Sequence, residues 1–178
     1  MPEAGGARTV WNGFLASAPQ LRAHAVRQRE DTISTFDFAL ERSKFENGRG
    51  FVVVRLADGQ HLRWQTLPRG EGLESVNVVG ERYRLDTLQD PCFAAGNEIR
   101  LEREPANPYD PNAIAVWNAA RTLQAGYIPR DEAKRLAKKL DKGQRFRVVT
   151  IWETFEDDRR IGIRLLLIGD QANVTGLS

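Results

Sequence analysis

Short apolar runs separated by turn residues set the pattern of this chain. Residues 51–56 read Phe51, Val52, Val53, Val54, Arg55 and Leu56, and a second strand-like run follows at 61–67. Asp58 and Gly59 stand between them. An Asp-Gly pair in that place predicts a hairpin with a type I′ turn, which needs positive φ at both positions. The segment 68–72, with Pro68, Gly70 and Gly72, then interrupts structure and makes the best internal boundary. Beyond it, strands are predicted at 75–80, 98–103, 113–117 and 124–128, with Ile99 and Leu101 alternating onto one face. Ala133, Leu136, Ala137 and Leu140 recur at helical spacing, with Pro129 before them and Gly143 after as start and stop. Two further strands, 146–152 and 161–168, flank a polar turn at 156–160.

The first part of the chain is less regular. Residues 1–31 show no period, and a helix at 20–30 would bury only Leu21 and Val26 as sizeable apolar side chains, so this segment reads as mobile or loosely docked. From 32 to 45, Ile33, Phe36, Phe38, Leu40 and Phe45 fit neither helical nor strand spacing. The expected organisation is an N-terminal extension at 1–70, partly mobile, with a hairpin near 51–67, and a β-rich domain at 71–178. The hairpin either joins that domain or forms a subdomain of its own. Many short strands with one or two helices predict a mainly β fold of the α+β class and favour a small barrel.

Composition narrows the function classes. Of 178 residues, 28% are charged and 41% hydrophobic, ordinary values for a soluble protein. No apolar run approaches the roughly 18 residues of a membrane span. The N-terminus lacks a signal peptide's apolar stretch, so a cytoplasmic location and no membrane partner are expected. One cysteine, Cys92, excludes an internal disulfide, and with only His24 and His61 beside it a Cys/His zinc site is close to excluded. The net charge of +2 conceals an asymmetry. Residues 127–150 carry eight basic and three acidic side chains, whereas 74–112 carry eight acidic and four basic. The basic segment is either a solvated helix face or a phosphate-binding surface.

Enzyme templates find little to match. No Ser/His/Asp set is credible with two histidines so placed, and no glycine-rich phosphate loop of the Walker type is present. Glu102, Glu104 and Asp110 could form a metal cluster, but surface and turn roles account for them better. The expectation is no enzyme and no cofactor, with a metal-dependent nuclease or phosphohydrolase as the weakest alternative.

The informative stretch is 101–116. Prolines at 105, 108 and 111 bracket Asn107, Tyr109, Asp110 and Asn112. Each proline fixes its own φ and biases its predecessor away from helix, so a stiff loop is predicted. Such a loop presents an aromatic ring and a carboxylate at fixed angles. It can equally be a structural turn in which Asp110 and Asn112 bond local backbone groups.

The segment EPANPYDPNAIAV, with VVGERYR before it and AGYIPRDEAKRLAKKL after it, closely resembles the HIRAN domain over about residues 75–169. That family occurs near the N-terminus of eukaryotic fork-remodelling helicases and as a stand-alone unit in bacteria. The resemblance implies a modified oligonucleotide-binding-like barrel whose pocket captures the 3′-hydroxyl end of single-stranded DNA. It implies that Arg82 contacts phosphate and Tyr83 stacks on a base. It also implies that Tyr109 packs on the terminal nucleotide and that Asp110, with Asn107 beside it, bonds the 3′-hydroxyl. Arg130 occupies the place of a phosphate-binding basic residue. Two positions depart from the family pattern. Tyr127 stands where the helicases have histidine, and Trp152 is the nearest counterpart of a late pocket phenylalanine, with Phe155 the alternative.

The chemistry of these residues agrees with that reading. Sequence-tolerant single-strand binding needs aromatic platforms and cations along a groove. Tyr83 and Tyr109 supply faces, while Arg82, Arg130, Lys134 and Lys138 supply phosphate contacts. Asp110 would repel a phosphate but accepts a hydrogen bond from a terminal hydroxyl. The expected function is therefore a DNA-binding module for 3′ ends in repair or replication-fork processing, with a helicase or nuclease as partner. A protein-interaction adaptor docking a partner enzyme is the alternative.

Overall fold

The computed structural model describes residues 36–176. The mobility and helix expected within 1–31 lie outside these residues. Ten strands and two α-helices follow one another in the described segment. The first strands are β1 (Asp37–Phe45), β2 (Gly48–Arg55), β3 (Gln60–Leu62) and β4 (Leu73–Asn77). Then come α1 (Leu85–Leu88), β5 (Ile99–Arg103), β6 (Ile114–Asn118) and β7 (Gln124–Tyr127). Last are α2 (Arg130–Asp141), β8 (Phe146–Glu156), β9 (Arg159–Gly169) and β10 (Asn173–Thr175). The larger sheet runs β10-β1-β2-β8-β9-β4, with β3 pairing β2 off this path, and the smaller runs β5-β6-β7. Isolated bridges tie the two open sheets together at Val79–Tyr127 and Glu98–Val149. The result is the mainly β, barrel-like α+β fold that the short strands predicted.

Alternation along β9 explains how the layers assemble. Leu165 and Leu167 enter one core with Leu136 of α2, Phe93 and Ile114. Leu166 and Ile168 enter a second core with Phe38, Phe51 and Ile151. A strand buried on both faces reads as a continuous apolar run, which is what residues 165–168 show. β2 crosses β8 with Gly50 opposite Trp152. A Cβ at Gly50 would lie 2.1 Å from the Ile151 carbonyl oxygen, so only glycine permits the approach that covers Trp152.

Two local expectations are corrected. The segment with no readable period, 32–45, contains the strand β1, whose Phe38 and Leu40 are buried against β2. The hairpin at Asp58 and Gly59 forms, with Val53 opposite Leu62, but only Gly59 has positive φ. Asp58 instead accepts a hydrogen bond from the Gln60 N–H at 3.0 Å, and the loop is longer than a two-residue type I′ turn. The pair of positive φ values that such a turn demands occurs at Asp157 (45°) and Asp158 (60°), between β8 and β9.

One buried ion pair anchors α1 to the larger sheet. Glu153 and Arg160 face each other at 2.6 Å, both nearly inaccessible to solvent. Arg160 also donates to the carbonyls of Leu88 and Asp90 at the end of α1. Every charge and carbonyl in this cluster therefore has a partner, as burial requires.

Candidate nucleic-acid interface

The proline-spaced loop is held by its own polar groups. Its ends close through a hydrogen bond from the Glu104 N–H to the Ala113 carbonyl at 3.0 Å. The Asn107 Oδ1 accepts from the N–H groups of Tyr109 (3.0 Å) and Asp110 (3.4 Å), while its Nδ2 donates to Glu104 Oε2 at 2.8 Å. Arg103 braces the loop from beneath, donating to the Ala113 and Pro111 carbonyls at 2.9 and 3.2 Å. Asn107 is thus a frame residue whose side chain is already engaged. Tyr109, fastened only by its backbone, remains 86% exposed.

Asp110 makes the turn contact that was one of the two readings open in the sequence, and it faces a cation as well. Its Oδ1 accepts from the Asn112 N–H at 2.8 Å, which is the turn-stabilising contact. Its Oδ2 accepts from Arg130 Nε at 3.3 Å, and Arg130 also donates to the Tyr109 carbonyl at 2.9 Å. The Asn112 N–H, and after it the Arg130 guanidinium, hold the Asp110 carboxyl below the ordinary carboxylate range. Asp110, Asn112, Arg130, Asp131 and Lys134 line an open depression of about 430 Å³.

A second element reaches the same neighbourhood through Val79. Val79 and Tyr127 exchange backbone hydrogen bonds of 2.8 and 2.9 Å. A Cβ at Gly126 would stand 2.4 Å from the Val79 oxygen, so glycine is required beside Tyr127 for this contact. After Val79 the chain turns at Gly80 (φ +83°) into a short 3₁₀ turn, Glu81–Tyr83. Tyr83 is 76% exposed, which removes the alternative of a core residue. The Arg82 guanidinium lies 4.7 Å from its ring centroid and donates to its hydroxyl at 2.7 Å. Tyr127 itself is half-buried.

Helix α2 divides its cations between two tasks. Ala133, Leu136 and Ala137 are buried. Arg135 and Lys139 ion-pair with the buried Glu74 of β4, so these two charges are committed to the fold. Lys134 and Lys138 are exposed and, among the described residues, enter no ion pair. Trp152 is placed differently from the other expected site residues. It is 8% exposed and belongs to the second core, with its ring 4.8 Å from Trp64 and 5.6 Å from Phe45. Phe155 lies beneath Arg49, 4.6 Å from ring centroid to guanidinium.

Arg103 and Trp64 were not anticipated. Arg103 is one cation in an alternating strand, and Trp64 sits in a segment read as a hairpin arm; neither carries a local signal for its position beside these loops.

Among the described residues no group of three or more His, Cys, Asp or Glu side chains could hold a metal ion. Glu102 pairs with Arg121, Glu104 with Asn107 and Asp110 with Arg130, so the three carboxylates once grouped as a cluster face separate partners. No described helix is long and apolar enough to cross a membrane.

No curated protein matches the chain. A crystal structure of a protein from Lactobacillus plantarum is similar at 33% identity over 53% of this chain and 91% of that one, with a TM-score of 0.42. The HIRAN domain of human HLTF is similar at 27% identity over 55% of this chain and 76% of that one, also with a TM-score of 0.42. A family model for the HIRAN domain matches residues 72–167, from the start of β4 almost to the end of β9, and includes both exposed tyrosine turns. With more than half of its length so matched, the chain belongs to the HIRAN domain family.

Proposed function

We propose that this chain binds the 3′-hydroxyl end of single-stranded DNA and does so without catalysing a reaction. The observation that carries the reading is the 104–113 loop: its backbone is braced by Asn107, Asp110 and Arg103, its tyrosine ring is exposed, and a carboxylate oxygen stands beside an arginine. The terminal base stacks on Tyr109, and Arg130 and Lys134 meet its phosphate. Asp110 Oδ2 accepts a hydrogen bond from the 3′-hydroxyl. Arg82 covers one face of Tyr83, which polarises and orients the ring and leaves it available to the preceding base. Membership in a family of DNA-binding modules supports the same conclusion. Such a module delivers a strand end to an enzyme of DNA repair or fork processing, a helicase or nuclease being the partner that chemistry suggests.

Fluorescence anisotropy with matched oligonucleotides ending in a 3′-hydroxyl or a 3′-phosphate, or with only the 5′ end free, tests this. The hydroxyl end should bind roughly tenfold more tightly, the usual order for a charge-assisted hydrogen bond set against like-charge repulsion. Equal binding to all three would leave only a basic surface, and no binding at any salt concentration would favour the adaptor reading.

A further inference from the structure

A second depression, of about 420 Å³, opens where β4, β8 and β9 meet the segment following β3. Its lining includes Trp64, Trp152, Asn77, Glu81, Gly162 and Arg164. Three of its properties point to one occupant. Trp64 and Trp152 form an aromatic wall, with centroids 4.8 Å apart. Arg164 is already engaged, 5.2 Å above the Trp64 ring and donating to Ser75 Oγ at 3.3 Å, so it is not a free phosphate clamp. Glu81 contributes a half-buried carboxyl that repels phosphate when ionised. A flat, uncharged and partly polar group suits this lining, and a phosphate does not.

The depression also adjoins the site described above. Val79 and Glu81 line it, and the next residues in the chain are Arg82 and Tyr83. We infer that this depression is a nucleobase subsite, taking a base upstream of the 3′-terminal nucleotides against the Trp64–Trp152 wall; the inference rests on the single-strand reading proposed above. Trp64 precedes the family-matched segment 72–167 and the rest of the lining lies inside it, so the subsite combines the matched domain with one residue of the chain before it.

Gly162 offers a way to close the subsite without disturbing the fold. Its backbone needs no glycine, and a Cβ there would meet only Glu81 Oε1 at 3.7 Å and Thr154 Cβ at 3.9 Å, ordinary contact distances. Gly162→Val therefore fills the depression, and a β-branched residue suits a strand. Trp64→Ala removes part of the aromatic wall but also loosens the packing on Trp152, so Gly162→Val is the decisive variant.

The test measures 3′-hydroxyl dinucleotides and hexanucleotides against the whole chain by anisotropy. The chain should bind the hexanucleotide roughly tenfold more tightly than the dinucleotide, as one added stacked base warrants. Gly162→Val and Trp64→Ala should lose that gain and keep the dinucleotide affinity. An abasic residue at one interior position of the hexanucleotide should weaken the unsubstituted chain and leave Gly162→Val unaffected. Equal affinity for the two lengths, or a gain that survives in Gly162→Val, overturns the subsite while dinucleotide binding upholds the end-recognition reading. Failure of the unsubstituted chain to bind either length overturns that reading and the subsite with it.

Discussion

Two groups of aromatic residues are put to opposite uses in this molecule. Tyr83 and Tyr109 stand out in solvent at 76% and 86% exposure, each on a turn held by backbone and side-chain hydrogen bonds. Trp152, by contrast, is enclosed between Phe45, Trp64 and the glycines of β2. A ring buried in a core contributes through the apolar area it removes from water. A ring left in water contributes almost nothing to folding, so its position must be maintained by polar groups around it, as Asn107, Arg103 and Arg130 maintain that of Tyr109. The contrast teaches that packing and exposure fall to separate aromatics here, and that residue type alone does not reveal which is which.

The sharpest way to break this comparison is to remove one ring from each group. Trp152→Ala should lower stability by roughly 3–5 kcal/mol, the usual loss for a buried large aromatic, seen as a large drop in melting temperature. Tyr109→Ala should leave melting almost unchanged, as exposed positions do, and weaken single-strand binding by roughly 1–3 kcal/mol. Comparable losses of stability in the two variants would show that Tyr109 is a packing residue.

Asp110→Asn sharpens the comparison within the loop. Asparagine retains an oxygen for the Asn112 N–H, so the turn should survive while the charge facing the strand end is lost. The roughly tenfold preference for a hydroxyl over a phosphate end should shrink, chiefly through tolerance of phosphate. An unchanged ratio would confine Asp110 to its turn. The pH dependence carries the same distinction. Because the folded carboxyl lies below its ordinary value, its contribution is present above the unfolded pKa and is lost only as pH falls through the lowered folded value. The affinity for the hydroxyl end should therefore stay constant from neutrality down to about pH 4. A midpoint of loss above that value would assign the effect to another group.

The smallest expected effect concerns the two kinds of cation on α2. Lys134→Ala with Lys138→Ala should lower affinity alike for all sequences and flatten the slope of log affinity against log salt by roughly one to two. Lys139→Ala should instead act on stability, since it strips one partner from the buried Glu74. If Lys139→Ala flattened the salt slope as much as the double variant, the division of the helix into a DNA face and a structural face would fail.

Much of this arrangement was legible in advance. The strands around 98–103, 113–117 and 124–128, and the helix from Arg130, appear within a few residues of where spacing and punctuation put them. The three prolines marked the loop, and the motifs on both sides of it marked the family. β1 escaped because the face that buries Phe38 and Leu40 continues with the charged Arg42 and Lys44, while the opposite face ends on the exposed Phe45, so the alternation is blurred. The two positive φ values of a type I′ turn fall at Asp157 and Asp158 rather than at Asp58 and Gly59 because aspartate also tolerates the left-handed region, and strand register selects between the two turns.

What the sequence determined by itself were the features set by neighbours along the chain: the stiffness of the proline-spaced loop, the start and stop of α2, and the doubly buried run that becomes β9. Only the tertiary structure decided which charges remain available and which rings meet solvent. Lys138 and Lys139 are adjacent and chemically identical, yet one is exposed and the other is drawn to Glu74, 65 residues away. Trp152 lies in a strand as apolar as its neighbours, and it is closed off because two glycines 100 residues earlier let β2 pass over it. Burial and ion pairing depend on partners distant in sequence, and those partners exist only once the sheets have closed around them.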